Sequence, residues 1–351
     1  MGAALQSFGF APFFSQQLSV EEGEITSVGR VTEVQRSLIV VTDGEKEWTV
    51  HLTPSWQRAA SIDRPTVGDW IVMDAERTRI ERILERKSVF RRLAAGNRTE
   101  VQLIAANIDT LFVVSSCNDE FNESRLERYL TLCAEPGVTP VVVLTKIDLT
   151  DNPENYVDRA RSVQPNISVE LVNARDPETL SGVKAWIGPG STIALVGSSG
   201  VGKSTLLNAL AGESVATTSD IREHDKKGRH TTSHRTLYQL PGGGLMIDVP
   251  GMRELRVAEI DHSLGTVFEE IEKLAVQCQF GNCSHQTEPG CAVRQALEGG
   301  QISERRLQNY LKLLRENAHN SASLAEKRSS DRELSKLIKQ ATFWKQGKKS
   351  L

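Results

Sequence analysis

Two rhythms of apolar and polar residues divide the chain. From Ile25 to Arg82 the two kinds alternate in short pieces broken by Gly and Pro, as in Ser37-Leu38-Ile39-Val40-Val41, Trp48-Thr49-Val50-His51-Leu52 and Asp69-Trp70-Ile71-Val72-Met73. Period-two alternation with turn residues between the pieces predicts a small antiparallel barrel. The pattern fits an OB-fold and an SH3-like barrel equally. Further along, the apolar runs become continuous: Pro140-Val141-Val142-Val143-Leu144, Thr192-Ile193-Ala194-Leu195-Val196 and Leu245-Met246-Ile247. These read as buried strands of an open α/β sheet. Helical spacing follows in Ser204-Thr205-Leu206-Leu207-Asn208-Ala209-Leu210, and again in the stripe Leu307, Tyr310, Leu311 and Leu314 with charges opposite.

The strand at Thr192–Val196 and the helix from Ser204 flank Gly197-Ser198-Ser199-Gly200-Val201-Gly202-Lys203-Ser204, which fits the phosphate-loop pattern GxxxxGK[ST]. Its glycines let successive backbone N–H groups turn toward phosphate oxygens at a helix N-terminus, where the dipole also favours anions. Lys203 is expected to reach the β- and γ-phosphates and the Ser204 hydroxyl to bind Mg²⁺, with Thr205 beside it in the first helical turn. Thr145-Lys146-Ile147-Asp148 closes another strand. There Asp148 can accept two hydrogen bonds from a guanine edge, which adenine cannot offer, while the Lys146 stem lies along the base. Most GTPases carry Asn where Thr145 stands, so one contact to the base or the loop is expected to be altered. Asn173-Ala174, after a further apolar stretch, is a candidate for the backbone N–H that meets guanine O6. Asp248-Val249-Pro250-Gly251 has the form in which an Asp holds Mg²⁺ through water and a Gly N–H touches the γ-phosphate.

The order of these motifs is inverted. The base-reading motif ordinarily follows the phosphate loop, and here it precedes it. The sequence therefore predicts a GTP-hydrolysing domain of permuted connectivity, with GTP and GDP as ligands. Gly228-Arg229-His230-Thr231-Thr232 is the candidate first switch, with Thr232 the expected second protein ligand of Mg²⁺ and Thr231 its competitor. After Gly251, Ras-like enzymes carry a water-orienting Gln; here the residue is Met252, whose thioether cannot position water. His230 is the internal candidate for that task, since a neutral imidazole both donates and accepts. Residues 212–235, rich in Ser, Thr, Gly and charge, read as a segment ordered by a partner.

Cys278, Cys283, His285 and Cys291, spaced C-x4-C-x-H-x5-C, offer three thiolates and an imidazole, a closed ligand set suited to one structural Zn²⁺. Of five cysteines, the other two, Cys117 and Cys133, lie in apolar segments and read as core thiols. The start of the chain lacks the pattern of a secretory signal, so a cytoplasmic location is expected. No apolar stretch approaches the roughly eighteen residues of a membrane helix. The formal net charge of -3 argues against indiscriminate nucleic-acid binding. Charge is uneven, however: Glu304 to Lys349 holds twelve Lys or Arg against five Asp or Glu. The tail residues Lys336, Lys339, Lys345, Lys348 and Lys349 are the better RNA candidates. Arg305, Arg306, Lys312 and Arg315 are expected to solvate a helix face, and 317–331 reads as a polar hinge.

The motif order, Gly228-Arg229-His230-Thr231-Thr232, the run Asp248-Val249-Pro250-Gly251-Met252-Arg253-Glu254-Leu255 and the cluster ending Glu288-Pro289-Gly290-Cys291-Ala292-Val293 together resemble the RsgA family (YjeQ or YloQ) of circularly permuted GTPases, over about residues 25–315. The resemblance implies an N-terminal OB-fold, a central permuted GTPase and a C-terminal zinc domain. It implies binding to the 30S ribosomal subunit and its 16S rRNA late in assembly, hydrolysis stimulated by that subunit, and release afterwards. It also assigns the catalytic histidine to His230 and the switch threonine to Thr232. The chain departs from the family at Asn173, where Ser or Thr is usual, and beyond about residue 320. The expected division is an extension (1–22), an OB-fold-like barrel (23–95), the permuted GTPase (96–258), a helical zinc domain (259–318) and a basic tail (319–351), in a monomer.

Overall fold

The structure is a computed structural model, and it describes residues 2–20, 22, 27–93, 101–134, 137–212, 236–248 and 261–318. The continuous apolar runs become parallel strands. β8 (Thr110–Ser116), β9 (Thr139–Thr145), β10 (Ser168–Leu171), β11 (Thr192–Val196) and β13 (Leu245–Asp248) lie in the order β10-β9-β8-β11-β13, and β12 (Thr236–Gln239) joins antiparallel beyond β13. Alternate residues of each strand face opposite cores, which is why the runs show no polar side. Leu111 and Val113 of β8 join Val142, Leu144, Val196 and Ile247 on one face, while Phe112 and Val114 join Val141, Val143, Ile193 and Met246 on the other.

Helices cover both faces. α4 (Glu123–Ala134) and α5 (Pro153–Val163) pack on the first, α6 (Ser181–Ala185) and α7 (Lys203–Ala211) on the second. The C-terminal helices α8 (Asp261–Val267), α9 (Glu269–Ala275), α10 (Ala292–Glu298) and α11 (304–318) share the first core through Leu264, Phe268, Ile271, Val293, Leu307 and Tyr310. The predicted stripe of α11 is thus buried. Two expectations for this helix fail. Arg306 is 7% exposed and paired inside the protein rather than solvating a face, because it flanks the stripe one turn before Tyr310 and there meets acidic groups of neighbouring helices. Asn317 is buried within α11, so the expected hinge does not begin there.

The alternating N-terminal region forms β1 (Ser27–Val34), β2 (Leu38–Thr42), β3 (Glu47–His51), β4 (Trp70–Met73) and β5 (Ile80–Ile83), all antiparallel, in the order β3-β2-β1-β4-β5, with the short helix α3 (Pro54–Arg58) between β3 and β4. Val31, Ile39, Val41, Val50, Ile71 and Met73 fill its inner side. Among the described strands no β3–β5 pairing closes it into a barrel, and β1 instead touches β12 at Glu33 and Thr236. The hairpin of β6 (Val89–Leu93) with β7 (Val101–Ala106) leads from this unit into the parallel sheet.

The extension is folded too. α1 (Ala3–Ser7) and α2 (Pro12–Ser15) bring Phe10 and Phe14 onto Trp70, the Phe10 ring meeting it edge-on at 4.8 Å. Beneath them Arg30 is buried and donates to the carbonyls of Phe8, Gly68 and Asn107, tying the extension, the β1–β5 unit and the parallel sheet together. Burial lowers its pKa to about 10, opposed by Asp109 and Asp69. Among the described residues no helix is long and apolar enough to cross a membrane.

Candidate nucleotide site and metal centre

The chain runs from β8 to β9 and β10 on one side and returns to β11 on the other. The strand order therefore reverses between β8 and β11, and open α/β sheets bind ligands outside the carboxyl ends of strands at such a reversal. The parallel strands end together at Ser116, Thr145, Leu171, Val196 and Asp248. Every described nucleotide-site candidate follows or ends one of them.

The phosphate loop has the backbone its glycines permit. Gly200 and Gly202 have φ of 81° and 93°, and a Cβ on Gly197 would lie 2.2 Å from the Val114 carbonyl. Gly202 is the N-cap of α7, so the first-turn N–H groups of Lys203, Ser204 and Thr205 open toward the rim. Lys203 Nζ donates to the carbonyl of Gly197 at 2.8 Å and to that of Ser198, folding back over the loop. Ser199 is exposed at the loop's outer edge, whereas Val201 is buried and anchors it from below.

Thr145 is fully enclosed at the end of β9. Its hydroxyl donates at 2.5 Å to the carbonyl of Val201 and lies 3.0 Å from that of Ser115 on β8. The altered position of the base-reading motif thus keeps a tie to the phosphate loop, by hydroxyl instead of amide. Lys146 follows in the left-handed region (φ 57°), and this turn sets Asp148 on an exposed 3-10 turn, Ile147–Leu149. Asn173 closes its own loop: its side-chain oxygen accepts from Arg175 N–H, and its carbonyl accepts from Asp176 N–H and the Thr179 hydroxyl. That leaves the Ala174 N–H without a bond among the described residues. Asp248 ends β13 with its side chain exposed on the same rim. Gly251, Met252, His230, Thr231 and Thr232 lie outside the described residues.

The thiol–imidazole set converges. The ligand atoms of Cys278, Cys283, His285 and Cys291 all lie within 4.8 Å of one another. Zn–S bonds of about 2.3 Å and Zn–N bonds of about 2.0 Å in a tetrahedron place sulfurs about 3.8 Å apart and sulfur about 3.5 Å from nitrogen. The observed Cys278 Sγ–Cys291 Sγ distance is 3.9 Å, and His285 Nδ1 lies 3.6 and 3.5 Å from those two sulfurs. Soft thiolates, a neutral imidazole and these spacings fit zinc. His285 reaches the cluster from a left-handed φ of 59°, and Cys291 caps α10 by accepting from Arg294 N–H at 3.4 Å. Glu288 accepts from Ser284, Gln286 and Thr287 N–H groups and from the Ser284 hydroxyl, which ties the ligand loop and holds its carboxyl well below the usual range. Cys117 and Cys133 are core thiols as expected, and burial raises both, Cys117 to about 11.

Sequence reasoning missed a polar joint on α4. Arg125 Nη1 lies 3.2 Å from the Ser198 hydroxyl of the phosphate loop. Two residues on, Glu127 is 0% exposed and accepts from Arg305 and Arg306, each at 2.9 Å, and from the amide of Asn309. No motif announces these residues.

A sheet of this order, with phosphate loop and guanine motif joined on one rim in inverted sequence, defines a circularly permuted P-loop GTPase. The RsgA GTPase family model matches residues 83–258. The chain belongs to the RsgA GTPase family, and it is a hydrolase acting on GTP. A protein of Vibrio parahaemolyticus named small ribosomal subunit biogenesis GTPase RsgA 2 is 44% identical over 337 residues, covering 95% of this chain and 92% of its own. The Mesorhizobium japonicum protein named small ribosomal subunit biogenesis GTPase RsgA is 43% identical, covering 91% of each chain. Among solved structures, YjeQ from Thermotoga maritima shares the fold with a TM-score of 0.60 at 24% identity, over 84% of this chain and 99% of that one. YloQ, titled a circularly permuted GTPase, matches equally with a TM-score of 0.60 over 86% and 98%. An ABC transporter model also matches residues 180–342, a span under half of the chain that begins just before the phosphate loop.

Proposed function

We propose that the protein is a ribosome-assembly factor that binds the 30S subunit through its 16S rRNA late in maturation and hydrolyses GTP to GDP and phosphate in a cycle that the subunit accelerates and that ends in release. The names of its relatives support the ribosomal reading. The observation that carries the nucleotide reading is the hydroxyl of Thr145 on the carbonyl of Val201, 56 positions away, which makes base recognition and phosphate binding one rigid rim.

On that rim Asp148 accepts from the guanine N1–H and 2-amino groups, with Lys146 along the base and the Ala174 N–H near O6. The amides of Gly197, Ser198, Ser199, Gly200, Val201 and Gly202 cradle the β-phosphate. Lys203 exchanges its carbonyl partners for phosphate oxygens, an exchange of neutral acceptors for charged ones that strengthens the bond. Ser204 and Asp248 offer hard oxygen donors that fit Mg²⁺, with Thr232 as a further ligand, and the ion offsets charge on the β- and γ-phosphates when bound. Gly251 N–H contacts the γ-phosphate. With Met252 in place of a water-orienting Gln, His230 orients the attacking water when the subunit is bound. Cys278, Cys283, His285 and Cys291 hold one Zn²⁺ as a structural ion, and the five β-strands of residues 27–83 serve as an OB-type module toward RNA. The protein acts as a cytoplasmic monomer.

Phosphate release measured with and without added 30S, 50S and 70S particles tests this. Stimulation by 30S alone is expected. His230→Ala should slow turnover with GTP binding kept, and Lys203→Ala and Ser204→Ala should abolish it. Turnover indifferent to 30S subunits overturns the ribosomal reading, and equal loss of binding in all three variants overturns the assigned roles.

A further inference from the structure

We infer that Arg125 is a positioning residue for the phosphate loop, and that through helix α4 it couples nucleotide affinity to the docking of the C-terminal helix α11. The inference rests on the reading that this loop binds guanine nucleotide.

Residues two apart on a helix point to opposite sides. Arg125 therefore faces the phosphate loop, its guanidinium 3.2 Å from the Ser198 hydroxyl, while Glu127 faces away from it into the joint with α11. The Arg125 end is light: its side chain is 53% exposed, and its acidic neighbour, Glu120, stands 3.8 Å off. The Glu127 end is heavy. Both carboxylate oxygens are taken, one by Arg305 and Arg306 and the other by Asn309. Arg306 continues to Glu270 at 2.5 Å and to the Val267 carbonyl at 2.6 Å, and lies over the Phe268 ring at 4.6 Å.

The first turn of α4 is fixed on a third side by Arg159, which pairs with Glu123 at 2.8 Å. A short helix held so firmly at Glu127 moves as a body, so a shift of α11 must appear at the other side as a shift of Arg125 against Ser198. The Ser198 carbonyl is one of the two that hold Lys203. The path from α11 to the phosphate-binding lysine is thus a chain of contacts whose weakest member is the exposed Arg125 bond. A link of that kind is the one that yields when a partner pulls on the C-terminal helices, and loosening it lowers nucleotide affinity while the reacting groups stay in place.

A double-mutant cycle on the full chain tests this, reading GDP affinity by titration with a fluorescent GDP analogue and steady-state kcat and KM for GTP. Arg125→Ala is expected to weaken GDP binding and raise KM at least about fivefold, the lower range of ordinary coupling between sites, with kcat held within about twofold. Arg125→Lys should restore most of the affinity. Glu127→Gln should weaken binding similarly alone but by under about twofold in the Arg125→Ala background, since the transmitting contact is already gone. If Glu127→Gln loses its near-ultraviolet dichroism, Arg305→Met, which removes the half-exposed partner, replaces it in the cycle. Effects that multiply, or an Arg125→Ala protein with unchanged affinity, overturn the coupling. A wild-type chain that binds no guanine nucleotide overturns the functional reading itself.

Discussion

The zinc loop and the Glu127 joint are both knots of polar side chains that engage the C-terminal helices, built in opposite ways. The four metal ligands come from the contiguous stretch 278–291 and are brought together by turns within it. Glu127 meets Arg305, Arg306 and Asn309 across separations of 178, 179 and 182 positions. The first knot is held by its own loop, with four ligand atoms placed where one ion would join them. The second exists only because α4 and α11 are already packed on one apolar core. A local knot can therefore fail without dissolving the long-range one, and that asymmetry can be measured.

The largest effect is expected at the metal. Cys291→Ala removes a ligand and also the thiol that caps α10, and structural zinc sites carry about 10 kcal/mol or more of binding free energy. The variant should purify without zinc by elemental analysis, and hydrogen exchange should show amides of 278–291 unprotected. The comparison sharpens if α11 keeps its protection, held by Glu127 and its apolar stripe. It breaks if α11 exchanges as fast as the loop.

Next comes Glu127→Ala. It takes from Arg306, which is 7% exposed, one of its two carboxylates and leaves it Glu270 and the Val267 carbonyl, so breaking this buried pair from one side is expected to cost about 3 kcal/mol, the low end of the usual range. Urea denaturation should show a loss of that size. The combination Glu127→Gln with Arg306→Met, which removes charge from both sides, should be far milder, since a buried pair stabilises little over an apolar equivalent. A double variant as damaged as the single one would mean that Glu127 works through Arg305 or Asn309 instead.

The same contrast explains what could be read in advance. The phosphate loop, the Thr145–Asp148 turn and the Cys/His cluster are short stretches whose chemistry depends on spacing, so the chain announced them. The parallel strands were legible because burial on both faces leaves no polar residue within Val141–Leu144. Arg306 was misjudged because a charge beside an apolar stripe looks the same whether water or a distant carboxylate answers it; Arg305, on the same helix, stays exposed as expected while also reaching Glu127. Only the packing of α4 on α11 decides that, and it is a property of the tertiary structure. Thr145 was half legible: the exchange for Asn announced a change, but the carbonyl of Val201 that takes its hydroxyl is 56 positions away.

The smallest effect is expected at an ion pair built like the Glu127 joint but left in water. Arg82 donates to both carboxylate oxygens of Glu22, at 2.9 and 2.7 Å, with side chains 38% and 21% exposed. These bonds, with the Ser19 N–H adding to them, hold the Glu22 carboxyl down to about 2. An unfolded glutamate titrates at about 4.3. A depressed folded pKa means that the pair's contribution is fully present above about 4.3 and is lost as the pH falls through about 2. Solvent screening limits that contribution to at most about 1 kcal/mol. Glu22→Gln should therefore shift the urea midpoint slightly at pH 6, and the gap to wild type should narrow steadily from pH 4 to pH 3. A gap as wide as that of Glu127→Ala, or one that grows with acid, would show that fork geometry and not burial sets the strength of these pairs, and the contrast between the exposed pair and the buried joint would fall.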